Sequence, residues 1–212
     1  MSSAAALPAS GAHETDPAVV DIEATRRRLT ARQAEIVAKL VRAAEDETDE
    51  VGYAGLTVRG VARRAGVAPA TAYTYFSSKD HLLAEVLWRR MESLPAVETD
   101  LSVPMAQRVE DAVREMTPFA ASSPALVDAC TVALISPHPD VAHLRDRIGA
   151  QTHRRLTAAL GPAPDPRALQ VLEAAYRGAL LTAGIGHMSF LDVPVFVAEA
   201  ATLLFDHDGG AS

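Results

Sequence analysis

What this chain of 212 residues lacks removes several classes of function. A single cysteine, Cys130, excludes any intrachain disulfide and fits a reducing cytoplasm. No apolar run approaches the length of a membrane span, and the first residues lack the basic-then-apolar order of a signal peptide. No glycine-rich phosphate cradle occurs, which argues against a nucleotide enzyme, and Cys130 has no strand-to-helix elbow around it to make it a nucleophile. His138, Asp140 and His143 are metal-type ligands, but Pro137 and Pro139 bracket His138 and the spacing is not the i, i+4 pair of a helix. No metal, no cofactor and no catalytic residue is therefore expected. An excess of positive charge is missing too, since the net charge is −7.

The distribution of that charge matters more than its sum. Between Thr25 and Ala44 the basic residues Arg26, Arg27, Arg28, Arg32, Lys39 and Arg42 face one acid, Glu35. Between Val51 and Pro95, Arg59, Arg63, Arg64, Lys79, Arg89 and Arg90 face Asp80, Glu85 and Glu92. These two windows are basic although the run Glu45 to Glu50 between them is acidic, so a DNA-binding face is not excluded.

Residues 57–82 carry the most information. Thr57 can cap a helix running to about Ala65, with Val61, Ala62 and Ala65 as a small apolar face. Gly66 tolerates the left-handed dihedrals of a helix stop, Val67 can plug the angle, and Pro69 suits the first turn of a second helix of about two turns, ending at Phe76. Such a pair is a helix-turn-helix, whose second helix enters the DNA major groove. Thr57 lies at a helix N-terminus suited to a phosphate, and Arg59 can fork onto a guanine edge. Pro69, Ala70 and Thr71 form the tip of the reading helix, where Thr71 and the alanine methyl suit a thymine methyl or a base edge. Tyr73 and Thr74 face backbone or bases, and Lys79 reads as a phosphate clamp at the start of the next helix. Tyr75 divides between core and DNA contact, Phe76 reads as core, and Arg63 and Arg64 as solvated.

Thr57 at the start, Ala65-Gly66-Val67 at the turn, Tyr73-x-Tyr75-Phe76, and Lys79-x-x-Leu82 together resemble the tetracycline-repressor (TetR) family of bacterial regulators. Three sub-motifs in order over one short stretch make the resemblance specific. It is close in the N-terminal third, and the rest agrees in length and helical character. It implies an all-α fold, a three-helix DNA-binding head, a connector helix, and a larger helical body that binds an inducer and dimerises through its last two long helices. It also implies that the position of Arg59 reaches a base in some members.

Around the motif, residues 1–28 read as a flexible leader, the helix-turn-helix head as 29–77, and the ligand-binding and dimerisation body as 78–208. Arg26, Arg27 and Arg28 form either an arm along phosphates or a minor groove, or a solvated anchor. Helix 1 starts at Thr30, whose cap is strengthened by Gln33, and presents Ile36, Val37, Leu40, Val41 and Ala44. Where the family has leucine and phenylalanine, this chain has Glu45 to Glu50 before Gly52-Tyr53. A carboxylate cannot replace a core leucine cheaply, so the helix ends early or its last turn rotates toward solvent. A cation site on this run is the less favoured reading.

Ser77 or Ser78 caps a connector helix with an apolar seam from Leu82 to Leu94, on which Trp88 reads as packing. Beyond Pro104 the proline punctuation predicts helices over 104–121, 124–136, 139–160, 166–187 and 193–206, with no alternating strand pattern. On the third of these, Gln151 and Thr152 interrupt an apolar stripe and need partners, either a ligand or other side chains. Met116, Phe119, Cys130, Tyr176 and Met188, with Gln151 and Thr152, are the candidate ligand-binding residues, for a small hydrophobic effector; the same apolar stripes can also be plain core. Small residues from Ala168 to Gly186 let two helices approach closely across a twofold axis, against a monomeric bundle as the alternative.

The reading is a homodimeric, sequence-specific transcriptional regulator, a repressor released from a palindromic double-stranded DNA operator by its effector, with no membrane partner. The alternative is a helical small-molecule carrier or enzyme without a DNA-binding role.

Overall fold

A computed structural model of the chain describes residues 30–97, 99–117 and 119–205. The 1–28 leader and the Arg26–Arg28 arm lie outside the described residues. By its internal contacts the chain divides into Met1–Glu35 and Ile36–Ser212. In the first unit the described residues open a helix through a reciprocal cap. The Thr30 hydroxyl accepts from the Gln33 N–H at 3.3 Å, and the Thr30 N–H donates to Gln33 Oε1 at 2.8 Å.

Secondary structure among the described residues is entirely helical: α1 (Ala31–Gly55), α2 (Val58–Arg64), α3 (Pro69–Tyr75), α4 (Lys79–Glu92), α5 (Met105–Met116), α6 (Pro124–Leu134), α7 (Pro139–Leu160), α8 (Pro166–Gly184) and α9 (Val193–Phe205). Proline opens α3, α6, α7 and α8, where its missing N–H has no partner to lose. Several C-terminal ends come earlier than the periodicity predicts, by the most in α5 and α8. α5 stops at Met116 because Thr117 (φ −114°, ψ 58°) precedes a proline, which disfavours helical dihedrals. α8 stops at Gly184, and Gly186 and His187 donate back to the Ala183 and Thr182 carbonyls.

Within Ile36–Ser212 the apolar residues form three clusters. Val37, Leu40, Val41 and Ala44 of α1 pack with α2, α3 and the start of α4, reaching Leu126 and Cys130 of α6. Val109, Val113 and Met116 of α5 pack with Leu172, Tyr176 and Ala179 of α8 and with Val193 and Val197 of α9. Ala84 and Trp88 of α4 pack with Val141, Leu144 and Ile148 of α7. α4 is therefore more than an amphipathic connector. It places Leu82, Leu83 and Val86 in the first cluster, Met91 in the second and Trp88 in the third. Arg147 lies 4.0 Å over the Trp88 ring, a stacking role that agrees with the packing expected of Trp88.

The acidic run meets one arm of the expectation set for it and departs from the other. α1 does not end before the run: its helical backbone carries through Glu50 and breaks at Gly52 (φ 64°, ψ −179°), with a short turn on to Gly55. Asp46, Asp49, Glu50 and Val51 do face solvent, so only part of the run turns inward. Glu47 and Thr48 lie on its buried face, 8% and 0% exposed. The physical reason is that each polar group there has a partner. The Thr48 hydroxyl donates to the Ala44 carbonyl at 2.6 Å, and Glu47 accepts from Arg64 Nε of α2 at 2.6 Å. Glu50 pairs with the other arm of Arg64, and Asp49 accepts from the Ser123 hydroxyl that caps α6. Burial pushes the Glu45 carboxyl up from its usual range. Arg64, expected to be solvated, is the counter-ion of the run.

Removing one partner of a buried, charge-assisted bond costs more than removing an exposed one. Glu47→Ala should lower unfolding stability by about 1–3 kcal/mol, whereas Glu50→Ala, at the exposed arm, should change it by about 0.5 kcal/mol or less. Urea denaturation of both variants decides it, and the reverse order would mean the bond to Glu47 does not anchor α2.

Candidate nucleic-acid interface and effector cavity

The reading head is built by short-range chemistry. Thr57 is extended (φ −139°, ψ 146°), and its hydroxyl accepts from the Gly60 N–H at 3.0 Å, so the helix α2 is capped as the sequence predicts. Gly60 must be small: a Cβ there would stand 2.9 Å from Glu47 Oε1 and 3.1 Å from Thr57 Oγ1. Gly66 takes φ 66°, and Val67 N–H returns to the Ala62 carbonyl at 2.9 Å, which sets the sharp angle. Ala72 and Phe76 then bury themselves against α1, α2 and α4, at 0% and 3% exposure.

That anchoring turns the opposite face of α3 outward. Pro69, Ala70, Tyr73 and Thr74 are exposed, as are Thr57 and Arg59 on α2, and Thr71 is half-buried. Tyr75 is half-buried and packs on the head's core. The Thr74 hydroxyl donates to the Ala70 carbonyl at 3.0 Å, so it is occupied within its own helix. Lys79 differs most from its expected place. Its ammonium donates to the Tyr53 carbonyl at 2.7 Å and lies 3.9 Å from the Tyr53 ring centre. Tyr53 in turn donates to Asp80 at 2.7 Å, and burial, followed by that bond, pushes its hydroxyl up to about 12. Lys79 thus ties the end of α1 to the start of α4.

The start of α4 meets the start of α7 through polar groups. Ser78 caps α4 by accepting from His81 N–H at 3.0 Å, and the Ser77 hydroxyl donates to Asp140 at 2.8 Å. Burial lowers the His81 imidazole from its ordinary range, against the opposing pull of Asp140. His138 is the cap of α7, accepting from the Asp140 N–H at 3.2 Å. Among the described residues no group of three or more His, Cys, Asp or Glu could hold a metal ion.

A cavity of about 410 Å³ lies among α4, α5, α6, α7 and α8, a size suited to a small molecule. Met116, Phe119, Cys130, Thr152 and Tyr176 line it, as the sequence reading expects. Gln151 and Met188 do not, and both are corrections. Gln151 follows the helical turn away from Thr152 and accepts from Arg154 on the outer surface. Met188 lies beyond the end of α8 and packs on the second cluster. Sequence reasoning missed Leu87 and Met91 of α4, and Arg145, Ile148 and Gly149, which with Thr152 form a stripe on α7. Their i, i+3, i+4, i+7 spacing was available, but a stripe containing arginine and glycine does not announce itself as a wall. Tyr176 is pushed up to about 12 by burial, and its hydroxyl stands 3.5 Å from the Met116 carbonyl. Burial also pushes the Cys130 thiol up, and its sulfur contacts the Leu83 carbonyl at 3.6 Å, so it is a protonated wall group.

A second exposed surface is apolar. On α8 and its C-cap, Val171, Ala174, Gly178, Leu181 and Ile185 are exposed at alternating steps of three and four, and α9 exposes Val195, Phe196 and Leu203. No helix among the described residues is long and apolar enough to cross a membrane.

Comparison with known proteins converges on this architecture. Residues 40–86 match the family model described as bacterial regulatory proteins, tetR family. An uncharacterized HTH-type transcriptional regulator of Mycobacterium tuberculosis is 43% identical over 195 residues, covering 91% of this chain and 89% of that protein. The HTH-type transcriptional repressor KstR of Mycolicibacterium smegmatis is 34% identical over 102 residues, 46% of this chain and 50% of its own. Among solved structures, a TetR transcriptional regulator from Rhodococcus sp. RHA1 superposes with TM-score 0.68 at 22% identity, covering 84% of this chain and 99% of that one. FadR from Bacillus subtilis, in complex with stearoyl-CoA, superposes with TM-score 0.55 at 18% identity over 79% and 96% of the two chains.

The turn offers a direct check. A Cβ at Gly66 meets nothing within 4 Å, so Gly66→Ala tests the backbone alone. It should cost about 1 kcal/mol of unfolding stability through the left-handed dihedral; no change in the denaturation midpoint would show that the turn relaxes freely.

Proposed function

Because this chain belongs to the TetR family of helix-turn-helix transcriptional regulators, we propose that it is a cytoplasmic homodimeric repressor that releases a palindromic operator when a small hydrophobic molecule fills its cavity. The observation that carries the DNA reading is the presentation of α3: Ala72 and Phe76 are pinned inside while Pro69, Ala70, Tyr73 and Thr74 stand in solvent. In this reading α3 enters the major groove, with Thr71 and Ala70 at base edges and Tyr73 and Thr74 along the backbone. Thr57 receives a phosphate at the N-terminus of its helix, and Arg59 reaches a guanine. Lys79 adds phosphate contact through donors not used on Tyr53.

One helix of two turns specifies little DNA, and two on a twofold axis read a palindrome. The exposed 3-4 stripe of α8 with the apolar face of α9 supports pairing through these helices. The cavity supports an effector, and α4 supports a route from one to the other. Leu87 and Met91 line the cavity, while Leu82 and Leu83 of the same helix pack in the core of the head. An effector that binds better when α4 is tilted shifts the population toward heads wrongly spaced for successive grooves. Repression is the named activity of the KstR relatives, and stearoyl-CoA is bound by the FadR that shares the fold, which supports a lipophilic effector here. The protonated, enclosed Cys130 and the capping role of His138 weigh against the enzyme alternative, and the outward face of α3 weighs against a plain carrier.

Footprinting on the DNA upstream of the chain's own gene, at two salt concentrations, tests the reading. The expected result is a protected palindrome with half-sites about 34–36 Å apart or a multiple of that; a genome-wide pull-down without any enriched site would defeat it. On that operator Arg59→Ala should weaken binding roughly tenfold or more and leave binding to unrelated duplex little changed. Equal losses on both DNAs would remove Arg59 from base reading. Gly149 has open space where a Cβ would stand. Gly149→Leu should therefore retain operator binding and lose the response to effector; retained response would move the effector elsewhere.

A further inference from the structure

The cavity carries charge at one end and none at the other. Met91, Met116 and Tyr176 close the inner part, at 1%, 2% and 6% exposure, whereas Ile135 and Leu181 at its rim are 63% and 45% exposed. At that rim stand its two charged lining residues, Arg145 and Arg177, and no aspartate or glutamate lines it. The two arginines are not equivalent. Arg177 is answered by Glu173 at 2.9 Å on its own helix. Arg145 has no carboxylate partner among the described residues. Its Nη1 donates to the Leu134 and Ser136 carbonyls at 2.8 and 3.1 Å, at the C-terminal end of α6.

That arrangement holds a cation in place without neutralising it. The open carbonyls of a helix C-terminus favour positive charge, so the guanidinium is positioned by α6, and its Nε and Nη2 make no bond to the protein among the described residues. The remaining donors form the planar edge that matches a carboxylate. From Arg145 the α7 wall runs inward through Ile148 and Gly149 to Thr152, roughly 10 Å along the helix axis at the usual rise. Gly149 leaves the middle of that wall bare. An elongated apolar body fits along the wall, and a group of negative charge fits its mouth.

We propose that the effector is a lipophilic monocarboxylic acid, with its apolar body enclosed and its carboxylate on the Nε and Nη2 edge of Arg145. The inference rests on the cavity being the effector site and adds the class of molecule and the residue that selects it. A lipophilic neutral molecule satisfies the walls and leaves Arg145 unanswered; a lipophilic cation is repelled by both arginines at the rim.

The test is a cycle of head group against arginine. Binding of dodecanoic acid and of dodecanol to the full-length protein is measured by calorimetry for the wild type, Arg145→Ala and Arg145→Lys, with operator release followed in parallel. The acid should bind the wild type about tenfold tighter than the alcohol, and added salt should narrow the gap. In Arg145→Ala the gap should close while alcohol binding stays as it was, which also shows that the variant is folded. Arg145→Lys should keep part of the gap, since it retains charge without the planar fork. Equal binding of acid and alcohol to the wild type, or equal losses of both in Arg145→Ala, overturns the proposal; if both ligands still release the operator, the effector reading of the cavity survives it. Failure of the wild type to bind either ligand overturns the two together.

Discussion

The face of α1 that begins with Val37, Leu40, Val41 and Ala44 continues at the same helical spacing into Glu47 and Thr48, and much of the structure follows from having to satisfy it. An isolated carboxylate on a buried stripe is strongly unfavourable, so α2 must lie where Arg64 meets Glu47. Gly60 is where α2 comes close enough for that contact, because a Cβ there would stand 2.9 Å from Glu47 Oε1 and make that carboxylate shift. The register of α2 fixes the turn at Gly66, and the turn fixes which face of α3 is left in solvent. A polar substitution in a core stripe thus sets the geometry of the reading surface.

The same helix faces the body of the protein through Asp49 and Ser123. Ser123 caps α6, and α6 contributes Val127, Cys130, Thr131 and Leu134 to the cavity. α4 makes a second link, since its residues belong to all three apolar clusters and two of them line the cavity. Close-packed interiors transmit displacement because they have few voids to absorb it. Occupying the void between these helices is therefore an economical way to move the head, which gives the proposed release mechanism its physical basis.

The rim of that void shows how a hydrophobic site acquires selectivity. Apolar walls discriminate weakly, whereas a charged group positioned by helix carbonyls rewards one kind of ligand and leaves others short of a partner. Arg108 illustrates the same use of helix ends in a structural setting, with its guanidinium donating to the Ala159 and Leu160 carbonyls at the end of α7. The difference is location: Arg145 lies on the cavity and Arg108 does not.

The local elements were legible in the sequence because local chemistry makes them. The caps at Thr30, Thr57 and Ser78, the turn at Gly66, and the prolines that open α3, α6, α7 and α8 depend on residues a few positions apart, and all appear where the sequence puts them. The outward face of α3 was legible for the same reason, with Phe76 read as core and Pro69, Ala70, Tyr73 and Thr74 as outward. Three placements depended on residues distant in sequence and were not legible in it. Glu47 of the acidic run is buried because Arg64 reaches it, Lys79 is drawn onto Tyr53 because that residue lies beneath it, and Gln151 misses the cavity that its neighbour Thr152 lines. By itself the sequence determined which segments are helical, where each starts and which family they compose, since hydrogen bonds between near neighbours decide those. Which charges find partners, which side chains meet the void and which arginine is left with an open edge were decided only by tertiary structure, because each depends on what a different helix brings within a few ångströms.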